Sequence, residues 1–194
     1  MDSLSDLLQA LPEEEELTSD AVFPSPLEIA TMPLESVIST LNAMVQAAAS
    51  HDLQRLARLA AHCCVRVATL VQRPGAGHVV ARAGGLQVVV SALQAFTHSS
   101  ELTAAAGMEA IALIGLEEEE LRAMALDAGS LVAVVAAMRT QPQSELVVTR
   151  GMMALSTLVG SDVGVLTQAR ALGASDMWLQ LCAAAVPPPP AMQE

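Results

Sequence analysis

Glycine spacing constrains this chain most. Gly107 stands 22 residues before Gly129, Gly151 stands 22 before Gly173, and so the same pair returns after 44 residues. The unit extends towards the N-terminus, with Gly84 45 residues before Gly129 and Cys63 44 before Gly107 in a matching apolar segment. A period of 44–45 residues is the length of a helical repeat whose apolar face is buried only by stacking on its neighbours. The local pattern agrees with helix. Leu86, Val89, Val90 and Leu93 fall at i, i+3, i+4 and i+7, and Leu131, Val134, Val135 and Met138 repeat that spacing. No segment needs the two-residue alternation of a strand, so the expected class is all-α.

Read in order, residues 2–11 place Leu4, Leu7, Leu8 and Leu11 on one helical face, with Pro12 as a stop. Residues 13–16 are four glutamates, and Pro24, Pro26 and Pro33 follow in a stretch poor in periodic apolar residues. Residues 1–35 are therefore expected to be an acidic, flexible segment with one short amphipathic helix at 2–11. Helical periodicity starts near Val37, and a second helix is predicted over 52–71. Each later cycle is a short helix, a small-residue junction (Ala83-Gly84-Gly85 or Ala128-Gly129-Ser130), an apolar second helix and a longer third one over 101–116 or 145–159. Met177, Trp178 and Cys182 open one more helix before Pro187 to Pro190, which gives a repeat domain at 36–186 and a proline-rich tail at 187–194.

Charge and composition exclude several function classes. The net charge of −12 is concentrated: residues 1–35 hold nine acids and no base, leaving twelve acids against nine arginines. There is no lysine, the first arginine is Arg55, and no basic patch for a phosphate backbone is expected, hence no nucleic-acid partner. The longest apolar run, residues 131–138, is far short of the roughly 20 residues of a membrane span. An acidic start without a signal-like core points to the cytoplasm, with cytoskeletal association or the nucleus as other settings. Three cysteines, two of them adjacent, do not suggest a disulfide framework.

The repeated unit resembles the armadillo repeat over about residues 36–185, as two good units with partial ones at either end. GMMALSTLV at 151–159 is similar to the AAWALSNIA pattern of armadillo third helices. The resemblance implies a right-handed α-solenoid of three-helix repeats, whose third helices line a groove for protein partners. In the family a ladder of Trp and Asn holds extended peptides. Here the Trp positions carry Val65, Glu109 and Met153, and the Asn positions carry Thr69, Leu113 and Thr157. The ladder is missing, so binding of basic nuclear-import peptides is not implied; the groove is expected to be mostly apolar, with Glu109 in its middle and Arg150 near one edge. Arg66 falls where a small alanine is expected and the first third-helix is about five residues longer, which suggests a degenerate capping unit.

No catalytic constellation emerges, so the chain is read as no enzyme, with no cofactor and no metal. His62, Cys63 and Cys64 are consecutive on a helix and diverge by about 100° each, too far apart to close one metal site. His51, His78 and His98 have no carboxylate at a spacing that marks a base and its orienting partner. Residues 75–85 lack the strand and Lys-Ser/Thr ending of a phosphate loop, and Glu117 to Glu120 suit the first turn of a helix. Met108, Met124, Met138, Met152 and Met153 read as gap fillers. The expected function is a non-catalytic protein-interaction scaffold or structural subunit, with Trp178 the centre of a further contact at the C-terminal end. The other reading is a transcriptional cofactor whose Leu4, Leu7 and Leu8 resemble an LxxLL motif.

Overall fold

The computed structural model describes residues 23–49 and 52–174. Among them ten helices and no strand are present. They are α1 (Pro26–Thr31), α2 (Leu34–Ala47), α3 (Leu53–Val71), α4 (Ala76–Arg82), α5 (Gly85–Phe96), α6 (Glu101–Glu117), α7 (Glu119–Asp127), α8 (Ser130–Thr140), α9 (Glu145–Val159) and α10 (Val163–Ala171). The chain is all-α, as its periodicity predicts.

Caps set where the long helices start. Asp52 accepts from the Gln54 amide (3.0 Å) ahead of α3, and Ser100 from Thr103 N (3.2 Å) ahead of α6. Ser144 accepts from Val147 N (3.3 Å) ahead of α9, and Asp162 from Gly164 N (2.7 Å) ahead of α10. The serines each satisfy one orphan donor of a helix N-terminus and the aspartates two, each cap being worth about 1 kcal/mol. Gly84 and Gly129 have φ of 74° and 83°, and at these left-handed residues the chain turns by 72° from α4 into α5 and by 66° from α7 into α8.

The described helices pack in rows. The long helices α3, α6 and α9 lie side by side with α6 central, while α2, α5 and α8 form a second row against them. Gly107 and Gly151 explain why the rows approach closely. A β-carbon on Gly107 would lie 2.9 Å from Leu93 of α5, and one on Gly151 would overlap Met138 of α8. Ser144 donates to Glu101 (2.7 Å), Gln141 donates to the Thr97 carbonyl, and Thr103 donates to the Ala57 carbonyl of α3 (2.5 Å), tying successive segments together. Helix α6 is buried nearly all round, from Thr103 to Gly115, as a central helix must be.

The N-terminal boundary differs from expectation: packed structure begins well before residue 36. Ser25 and Glu28 form a capping box, in which Ser25 N donates to the Glu28 carboxylate (2.7 Å) and Glu28 N donates to Ser25 Oγ (3.3 Å). Pro26 occupies the first turn, where its missing N–H leaves nothing unpaired, and Pro33 stands at the N-cap position of α2 without a side-chain cap bond. Pro26 and Pro33, which read as breakers, therefore stand at helix starts. Ile29 is fully buried in the core. Arg66 has a role too, since its Nε and Nη2 both donate to the Met32 carbonyl at 3.1 Å, pinning the α1–α2 junction to α3. Residues 2–11, His51, Trp178, Cys182 and the tail at 187–194 lie outside the described residues.

Candidate protein-interaction face

The exposed side of α3, α6 and α9 carries every groove position named from the sequence within the described residues. Val65 and Thr69 come from α3, Glu109 and Leu113 from α6, and Arg150, Met153 and Thr157 from α9. Two contacts join α6 to α9 along this face. Arg150 Nε stands 3.8 Å from Glu109 Oε2, with the side chains 13% and 21% exposed, and Gly115 faces Thr157 so closely that a β-carbon there would lie 3.0 Å from Cγ2. At 3.8 Å the ion pair is no hydrogen bond, and Arg150 Nε is a buried donor without an acceptor. Nη1 of the same residue points at Met153 Sδ, 3.6 Å away. Glu109 and Arg150 thus form one pair bridging two helices, rather than a central acid and a separate basic edge.

The threonines cannot stand in for ladder amides. Thr69 Oγ1 donates to the Val65 carbonyl (2.8 Å), and Thr157 Oγ1 donates to the Met153 carbonyl (3.1 Å). Each hydroxyl has a single proton and uses it inside its own helix. The rest of the face is apolar and partly open: Val65 and Leu113 are half-buried against the core, Met153 is 40% exposed and Leu116 is 64% exposed. Leu116 is the residue sequence reasoning missed. Because α6 is apolar on nearly all sides, Glu109, seven residues earlier, is the one mid-helix mark of the face on which Leu116 is open.

Groups with catalytic potential are placed apart. His62 is half-buried, and burial lowers its pKa. Burial pushes the Cys63 thiol up to about 12, and Cys64 higher still with the help of neighbouring Cys63, so neither is a ready nucleophile. His78 does meet a carboxylate, Glu118 at 3.2 Å, a pairing brought about by α4 packing on the start of α7 and invisible in sequence spacing. Among the described residues no group of three or more His, Cys, Asp or Glu could hold a metal ion, and no single helix is long and apolar enough to cross a membrane. In comparisons with known proteins no family model matches the chain, and neither curated proteins nor solved structures give a match.

Proposed function

We propose that this chain is a non-catalytic protein-interaction module, a right-handed solenoid of armadillo-like three-helix units whose partner lies against α3, α6 and α9. The observation that carries the reading is the open apolar strip of Leu113 and Leu116 on α6 and Met153 on α9, beside the Glu109–Arg150 pair that joins the two helices. Apolar side chains left open beside fixed charges suit a partner that brings its own apolar anchors, with the charges setting its orientation. A groove of this kind serves as a scaffold or a structural subunit.

Co-purification of the full chain from its native source, read by mass spectrometry, tests this. Proteins captured by the wild type should be lost with Leu116→Asp plus Met153→Asp, both at exposed positions that leave the fold intact by circular dichroism. Equal capture by the two chains would sink the reading. The spent threonine hydroxyls give a second expectation: calorimetric titration with a basic nuclear-localisation peptide should show no saturable heat at about 10 μM, where a specific contact would supply roughly 7 kcal/mol. Saturable binding would restore a peptide-ladder function.

A further inference from the structure

The Glu109–Arg150 pair is incompletely bonded. Its nearest atoms stand 3.8 Å apart, Arg150 Nε is closed off from solvent without an acceptor, and Nη1 meets only the thioether sulfur of Met153. A thioether is a weak acceptor, so the guanidinium is short of oxygen partners and has its Nη side left to receive one. Both side chains keep some access to water, 13% for Arg150 and 21% for Glu109. A partner lying on the apolar strip expels that water, and a charge pair withdrawn from solvent is costly unless further hydrogen bonds complete it.

That requirement selects the group the partner brings. A carboxylate would satisfy Arg150 but set a second negative charge beside Glu109, and an ammonium would do the reverse. A primary amide is neutral and completes both, its oxygen accepting from the Arg150 Nη groups while its NH2 donates to the Glu109 carboxylate.

Spacing decides the form of the partner. The contacts Glu109–Arg150 and Gly115–Thr157 advance in the same sense on both helices, so α6 and α9 run parallel. Leu113 and Leu116 follow Glu109 by four and seven residues, about 6 and 10.5 Å along the axis, and Met153 follows Arg150 by three. An extended peptide places same-side residues about 6.6 and 13 Å from the first and turns the one between them away, so it meets Leu113 but passes Leu116. A helix laid along the seam presents i, i+4 and i+7 on one face at the same steps as α6, and it packs between two helices by the ordinary ridge-and-groove rules.

We propose that the partner of this face is an amphipathic helix with an asparagine or glutamine set between Glu109 and Arg150, and apolar side chains four and seven residues away set on Leu113, Met153 and Leu116. The proposal deepens the groove reading and rests on it. The apolar residues supply most of the affinity; the amide supplies the register, because sliding the helix by one residue turns the amide about 100° off the pair and buries the pair unbonded.

The probe is a phage-displayed library of a small three-helix scaffold, randomised at i, i+3, i+4 and i+7 of one exposed helix and selected on the immobilised full chain. These positions serve either chain direction. Selected clones should carry Asn or Gln at one end position and Leu, Ile, Met or Phe at the positions four and seven away from it. They should bind at least tenfold more weakly to Arg150→Met and to Glu109→Met, which keep the packing stems, and should lose binding to Leu116→Asp. Replacing the clone's own amide by Leu should weaken binding to the wild type equally and add nothing on Arg150→Met; should either variant misfold by circular dichroism, that change measured on the wild type carries the test. Clones with an acid, a hydroxyl or no preference at the end position overturn the proposal and leave the groove reading in place. Clones that bind Leu116→Asp as well as the wild type, or a library without enrichment, overturn it too, and the capture experiment then judges the groove by itself.

Discussion

Gly151 sits in the middle of α9, where helix propensity alone would make Gly→Ala stabilising by about 1 kcal/mol. The neighbour decides otherwise. A methyl there meets Cγ and Sδ of Met138, itself buried in α8, and overpacking of this kind costs about 1–3 kcal/mol. Gly151→Ala should therefore lower stability by about 1–2 kcal/mol in urea unfolding, and adding Met138→Ala should cost less than the two single changes summed, since the second removes the clash of the first. Strict additivity would show that the helices do not touch there. His62 supplies a pH signature. Burial holds its pKa below the ordinary 6.5, so below that pH the unfolded chain binds the proton more readily than the folded one. The stability it contributes is whole above about pH 6.5 and is lost as pH falls through its lowered value. The melting temperature should drop between pH 7.5 and 5.5, and His62→Gln should flatten that drop; parallel pH profiles of the two proteins would show a ring that is solvated after all.

Among the helices, α1 is six residues long and would not persist alone, yet it is held from three sides: by its Ser25–Glu28 cap, by buried Ile29, and by Arg66 gripping the carbonyl that follows it. Ile29→Ala should cost about 2–5 kcal/mol, and Arg66→Met, which keeps the packing stem, should loosen the α1–α2 junction with a smaller loss. A chain shortened to begin at Leu34 should melt at a lower temperature than one beginning at Phe23; equal midpoints would mean that α1 packs without stabilising. The helices α5, α6, α8 and α9 were legible in the sequence because each has its own local marks: a left-handed glycine or a capping serine in front, and leucine or valine at i, i+3, i+4 and i+7 where one face is buried. Helix α1 was not, since one isoleucine makes no period and its prolines read as stops. Of the candidate face, the positions could be counted off at 44-residue steps, from Val65 through Glu109 to Met153. The Glu109–Arg150 pair and the exposure of Leu116 depend on how α6 and α9 are rotated against each other, which no single helix's pattern encodes.

Across the whole molecule, the proposed stacking of units predicts that stability grades from the middle outwards, since a stacked helix draws most of its burial from its immediate neighbours. Helix α6 has α3 on one side, α9 on the other and α5 behind, and it hides eleven residues from Thr103 to Gly115. Helix α10 hides only Ala169 and leaves Val163 73% exposed. Among the described residues, opening α10 breaks a few contacts with α9 and α8, whereas exposing an α6 amide requires parting both of its long neighbours. Native-state hydrogen exchange should thus find the amides of α6 exchanging last, with a free energy near that of global unfolding, those of α3 and α9 between, and those of α10 first. Leu155→Ala, on the α9 side of the central contact, should lower protection in α9 and α10 more than in α3, since the coupling passes from neighbour to neighbour. Should α10 exchange as slowly as α6, or should Leu155→Ala lower every helix equally, the molecule would behave as a single cooperative block and the stacked reading of its 44-residue unit would fail.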